Sequence, residues 1–272
     1  MESRLKAALR MDSEPVALLV SDEKPEGAMQ FVPGAFSCVM FLFSSAARGK
    51  TAVFDRQTFG CPGGGVGLGF GNVYRSGFPG GVPGFCRFLS DGNEPDPGGR
   101  AIADGMRAGG APERFVDGFL HGERYKKSPE LVERFVEALP IAEVPGKHVV
   151  MKPLSLVDPG RETPVSVTFL VDPDRLAALV VLANYDRPGL ENVAVPYAAA
   201  CQVVGILSYE EAKREAPRGL VGLMDISARK YLKGRKAGDK VTFTVPYRRL
   251  LEMEANVPGS FLEGCAWEEV LA

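Results

Sequence analysis

Histidine and tryptophan are scarce in this chain of 272 residues: there are two histidines, His121 and His148, and one tryptophan. So few imidazoles make a histidine-rich zinc or copper site a poor expectation. Familiar catalytic signatures are missing too. There is no HExxH, no G-x-S-x-G and no CxxC, which removes the commonest metalloprotease, serine hydrolase and zinc-finger readings. No apolar run reaches the about 18–20 residues a membrane span needs. The longest apolar-looking stretch is Ala35 to Ala47, so no membrane partner is expected. The N-terminal MESRLKAALRM mixes Glu2, Arg4 and Lys6 with short apolar residues and lacks the apolar core of a secretory signal. A cytoplasmic protein is expected. Charge of one sign is not in excess either. Net charge is −2, and nothing global points to nucleic acid.

What is present fits a globular protein with a full core: 45% hydrophobic and 24% charged residues. The length suits a single large domain, or two intimately packed lobes meeting near residues 91–99, where DGNEPDPGG reads as a surface linker. Strand-length runs occur at VALLV (16–20), CVMFLF (38–43), TAVFD (51–55), VVMKPLSLV (149–157), VSVTFLV (165–171) and VTFTV (241–245). Helix signals include SPELVERFVEALP, with Ser128 as cap and Pro129 in the first turn. Another is DPDRLAALVVLANY behind the cap Asp172. The apolar stretch VPYAAACQVVGIL (195–207) reads as helix from its alanines. Strands and helices mix without a strict βαβ rhythm. The expected class is α+β, with a mixed or mainly antiparallel sheet, flanking helices and a long Gly-rich loop.

That loop is the densest local signal. Residues 59–71, FGCPGGGVGLGFG, contain seven glycines, and from Gly60 to Gly84 glycine fills 11 of 25 positions. No register gives G-x-G-x-x-G, so a dinucleotide site is not supported. SSAARGKT (44–51) ends like a P-loop, but Ser44 stands where the first glycine must be. Unobstructed glycine amides can still form an anion-binding nest. No Asp or Glu lies between Arg56 and Ser90, whereas Arg56, Arg75 and Arg87 do. The candidate anion-binding set is therefore Gly63, Gly64, Gly65 and Gly67 with Arg56 and Arg75. Arg229, from the basic stretch RKYLKGRKAGDK, joins it, although such charge runs are usually solvated faces. Glycines so dense also serve a purely structural end, letting two backbones pack closely.

Five cysteines, Cys38, Cys61, Cys86, Cys201 and Cys265, are odd in number and widely spaced, which argues against a disulfide framework. Each alone is most simply a small buried filler. Cys61 stands out because it opens the glycine segment, where a positive field would favour its thiolate.

Four stretches, GKTAVFDRQTFGCPGGGVGLGF, VPYAAACQVVG, DISARKY and VTFTVPYRRLLEM, resemble the uncharacterised domain of unknown function family 169, the ArCR group. The likeness runs from about residue 10 to residue 255 and brings no established activity with it. It implies an anaerobic archaeal or bacterial setting in which oxygen-sensitive clusters are workable. It also implies recurring cysteines at Cys61 and Cys201, with Cys38 as a third. Cys86 and Cys265 match nothing.

Three functional readings follow. In the first, Cys38, Cys61 and Cys201 ligate one metal centre, an iron–sulfur cluster in particular, while the amides and Arg56 or Arg75 balance its negative charge. The second is a metal-free binder of a small carboxylate, phosphate or other anion, with Arg229 and Lys230 assisting and Tyr197 as an apolar wall. The third is a thiol enzyme with Cys61 as nucleophile, which needs His121 or His148 to arrive through the fold.

Overall fold

The structure, a computed structural model, describes residues 1–235 and 237–272. The chain opens with α1 (Arg4–Ala8), β1 (Val16–Ser21), α2 (Val39–Ala46), β2 (Ala52–Phe54) and α3 (Pro62–Leu68). Next come α4 (Val73–Gly77), α5 (Gly81–Phe88), α6 (Gly99–Ala108), α7 (Glu113–His121) and α8 (Pro129–Ala138). Strands β3 (His148–Pro153) and β4 (Ser166–Val171) precede α9 (Pro173–Tyr185) and the short β5 (Val193–Ala194). Helix α10 (Ala200–Gln202) runs through a π-helical turn (Val203–Leu207) into α11 (Ser208–Ala212). The chain ends with β6 (Gly219–Gly222), α12 (Ile226–Leu232), β7 (Val241–Pro246), α13 (Tyr247–Ala255) and α14 (Cys265–Leu271).

The class is α+β. The strands form one sheet in the order β2-β3-β1-β4-β7-β6-β5, antiparallel at every pairing except β5 with β6. Two compact units divide the chain: residues 1–70 with 142–272, which hold the sheet, and residues 71–141. The first unit closes where the chain leaves and returns, with Val144 N–H donating to Gly69 O at 2.8 Å.

Alternation along β4 and β7 gives the sheet two different faces. Val167, Phe169, Val171, Phe243 and Val245 join the apolar core under α1, α9 and α13. The residues between them, Ser166, Thr168, Thr242 and Thr244, are fully buried on the opposite face. Thr168 and Thr244 stand opposite each other in register, with their hydroxyls 2.9 Å apart. Buried hydroxyls usually find partners, and on this face the three other than Thr242 Oγ1 do. On this face Ser166 Oγ meets Ser208 Oγ at 3.1 Å, and Ser208 Oγ lies 2.7 Å from the Val204 carbonyl.

Two segments differ from expectation. CVMFLF is not a strand: Cys38 caps α2, of which Val39, Met40, Leu42, Phe43, Ser44, Ser45 and Ala46 are all buried. A helix buried on every side shows no 3.6-residue periodicity, so its sequence resembles a buried strand. Nor do residues 59–71 form a long loop. They are mostly α3, a helix with Pro62 in its first turn and Gly69 ending it in the left-handed region at φ 87°.

The second unit is helical. Its core is aromatic: Tyr74 stacks on Phe85 at 3.8 Å between centroids, and Phe78 meets Phe85, Phe88, Phe115 and Phe119 edge-on or tilted. Residues 91–99 lie inside this unit rather than bridging units. Asn93 there is buried and donates through Nδ2 to the carbonyls of Gly84 and Phe119.

Candidate functional site

In the first unit, helix N-termini converge beside the hydroxyl-rich face. Cys38 is the N-cap of α2 and Cys61 the N-cap of α3, both with extended backbone dihedrals. Cys201 sits in the first turn of α10, and Asp225 is the N-cap of α12. Backbone contacts draw these starts together. Ser37 N–H donates to Gly60 O at 3.2 Å, bringing the residues before Cys38 and Cys61 side by side. Asp225 bridges two helices: its Oδ1 accepts from Ala228 N–H and its Oδ2 from Ala200 N–H, both at 2.7 Å.

The glycines of α3 explain its closeness to α10. A Cβ on Gly67 would lie 2.8 Å from the Cys201 carbonyl carbon and 2.9 Å from Gln202 N. A Cβ on Gly205 would lie 2.0 Å from Gly67 O. Each helix thus presents a glycine to the other's backbone, a contact no side chain permits. Glycine costs about 1 kcal/mol against alanine in a helix interior. Here its absent side chain is what allows Cys201 Sγ to donate to Gly63 O at 3.3 Å.

The thiols sense one another electrostatically. Burial pushes Cys38 up to about 12, and the neighbouring Cys61 and Asp225 add to the rise. Cys61 is raised by burial, opposed by the N–H groups of Gly64 and Gly63 and seconded by Asp225. Cys201 is raised well above the ordinary thiol range, by burial first and then by Cys61, Cys38 and Asp225. Asp225 itself is raised by burial, against the N–H groups of Ala228 and Ala200 and the charge of Arg229. At neutral pH the three sulfurs are therefore thiols. The positive ends of the helices are outweighed by desolvation and by negative neighbours.

Two of the three sulfurs are also engaged locally. Cys61 Sγ accepts from Gly64 N–H at 3.3 Å, and the Cys201 thiol is turned to the Gly63 carbonyl. Among the described residues, no group of three or more His, Cys, Asp or Glu side chains is disposed to hold a metal ion in this arrangement.

The other residues singled out from the sequence fall elsewhere or are otherwise occupied. Gly63 and Gly64 offer N–H groups at the start of α3, facing the Cys61 sulfur. Gly65 N–H instead donates to Cys61 O within the helical ladder, and Gly67 is a packing position. Arg56 is exposed and paired with Glu143 at 3.1 Å. Arg229 donates to the carbonyls of Leu223, Lys240 and Gly238. Arg75 lies on α4 in the second unit, as do Cys86 on α5 and His121 on α7. Cys265 begins α14, whose Trp267 packs into the core under α1. No histidine is among the groups that shift the three clustered thiols. SSAARGKT runs from the last turn of α2 into β2, helix to strand, the reverse of a P-loop.

Asp225 is the residue sequence reasoning missed. Its only local signal is that of a cap before ISARKY, which reads as purely structural.

The profile of the uncharacterised ArCR family, domain of unknown function 169, matches residues 4–256. The chain belongs to this family. None of the curated proteins and none of the solved structures compared with it matches. Of the four stretches that carry the family likeness, three end at this site: the β2–α3 segment with Cys61, the approach to Cys201, and DISARKY with Asp225.

Proposed function

We propose that this ArCR-family chain is a cysteine-centred metal protein, redox in character, which holds an iron–sulfur or other soft-metal centre on Cys38, Cys61 and Cys201. One observation carries the reading. Three thiols far apart in sequence stand at three separate helix starts joined by direct contacts, Ser37 N–H to Gly60 O at 3.2 Å and Cys201 Sγ to Gly63 O at 3.3 Å. Thiolate sets of this kind suit zinc and iron–sulfur clusters, whose sulfurs also accept backbone N–H bonds. Gly63 and Gly64 offer such donors beside Cys61.

The raised thiols agree with such a role. Burial first, and the negative neighbours after it, keep them protonated without a cation, and a cation would oppose that balance, so uptake of a metal would be coupled to release of protons. Ligation would require the Cys201 sulfur to give up its contact with Gly63 O. The metal-free anion reading has less to stand on, because Arg56 and Arg229 already have partners and the carboxylate of Asp225 lies at the site. A Cys61 nucleophile is disfavoured by its raised thiol.

The test is purification without oxygen, followed by quantification of iron, acid-labile sulfide and zinc together with the visible spectrum. Metal present in proportion to protein, lost in Cys61→Ser and Cys201→Ser and kept in Cys265→Ser, is the expected outcome. A colourless wild-type chain with neither iron nor zinc contradicts the proposal.

A further inference from the structure

Cys38 and Cys61 stand on backbones held in direct contact. The residue before Cys38 meets the residue before Cys61: Ser37 N–H donates to Gly60 O at 3.2 Å, and Ser37 O would lie 2.6 Å from a Cβ on Gly60. The residue after Cys38 meets the helix that Cys61 caps. Val39 Cγ2 would lie 2.7 Å from a Cβ on Gly64, and Gly64 N–H is the donor to the Cys61 sulfur. A side chain at either glycine would part the two segments, so this approach depends on glycine. Cys38 in turn feels the charge of Cys61.

Cys201 reaches the same place from another side. Its thiol donates to Gly63 O while the Cys61 sulfur accepts from Gly64 N–H, and these are the two ends of one peptide group. The C=O and N–H of a trans peptide point in opposite directions, so that group stands between the two sulfurs. Accessibility divides the cysteines in the same way. Cys38 and Cys61 are half-buried, within reach of a small reagent, whereas Cys201 is buried.

We infer that Cys38 and Cys61 are a dithiol–disulfide pair, oxidised by low-molecular-weight disulfides such as oxidised glutathione. The step balances in two exchanges. One cysteine sulfur attacks the reagent and forms a mixed disulfide, and the glutathione thiol released takes up the proton that cysteine gives up. The other cysteine then attacks the first one's sulfur, closing the Cys38–Cys61 bond and releasing the second glutathione thiol with the second proton. The protein loses two electrons and two protons, and the glutathione disulfide gains them. Such a bond needs backbones close together, which the contacts at Gly60 and Gly64 supply. The inference rests on the grouping of thiols proposed above and not on the metal. As regulation of that site, oxidation would withdraw two of its three ligands.

The full chain, stripped of metal with a chelator and reduced, is incubated without oxygen in mixtures of reduced and oxidised glutathione. It is then quenched with acid, alkylated, digested and mapped by mass spectrometry. Protonated thiols exchange slowly, so incubation continues until the products stop changing. The Cys38–Cys61 linkage is expected at least about five times as often as any other disulfide within the chain, because the fold raises the effective concentration of this pair. The preference should vanish in urea, and Cys201→Ser and Cys265→Ser should leave it intact. Cys38 and Cys61 recovered only as thiols or as separate glutathione adducts, or linked chiefly to Cys201, overturns the inference. So does a linkage that dominates equally in urea, since the fold then contributes nothing. Metal measured before stripping separates the two claims. A metal-free chain that forms the linkage refutes only the metal reading, and a metal-bearing chain that forms none once stripped refutes only this one.

Discussion

At the scale of single residues, the chemistry turns on whether a thiol beside a helix N-terminus is a thiolate. A helix start favours the anion, and Cys38 and Cys61 are both N-caps. Burial and Asp225, with Cys61 also acting on Cys38, work the other way and prevail, so both thiols lie above their ordinary range. The sign has a direct consequence for labelling. A raised pKa keeps the protonated, unreactive form at neutral pH, and reactivity appears only as pH climbs past 9 toward the folded value, about 12 for Cys38. In metal-free protein, iodoacetamide at pH 7.5 should therefore modify the exposed Cys265 at least about ten times faster than Cys38 or Cys61, read by peptide mass spectrometry. Equal rates at that pH would show that the helix ends outweigh burial. Cys38, Cys61 and Cys201 were singled out in the sequence because Cys61 fronts a glycine-rich segment and the family likeness drew in the others. Asp225 was not, because a capping carboxylate looks the same whether or not it faces a thiol.

At the scale of elements, the glycines of α3 act through packing. Gly67 and Gly205 let α3 and the α10 segment approach until their backbones touch, and this contact places Cys201 over Gly63. Gly67→Ala should lower stability by about 1–3 kcal/mol, the usual penalty for forcing extra volume into a packed contact. Gly105→Ala, in α6 with nothing within 4 Å of the added carbon, should be neutral or stabilising by up to about 1 kcal/mol. Thermal or urea unfolding reads both, and a Gly67→Ala chain as stable as wild type would show that the two helices are not held in backbone contact. This is also where the sequence was least legible. A glycine-dense segment signals a loop locally, and only a partner glycine distant in the chain turns it into a tightly packed helix. The strands of alternating residues fared better: VTFTV and VSVTFLV show their two faces in their period-2 pattern, and β7 and β4 follow it. The buried helix α2 offered no such periodicity and looked like a strand.

At the scale of the whole molecule, an antiparallel sheet with one apolar and one hydroxyl-lined face supports a site assembled from segments spread across most of the first unit. A centre of the kind proposed, with ligands from separate elements, would leave no compact motif for spacing rules to find. The central claim of the proposed function is spatial: that three thiols from distant segments share one centre. Phenylarsine oxide tests this most directly, because its trivalent arsenic condenses with two nearby thiols, forming two As–S bonds and releasing water. Treated under reducing conditions, digested and mapped by mass spectrometry, the metal-free chain should yield arsenic-bridged peptide pairs drawn from Cys38, Cys61 and Cys201, and none containing Cys265. A map in which these three cysteines are never bridged to one another would contradict the account.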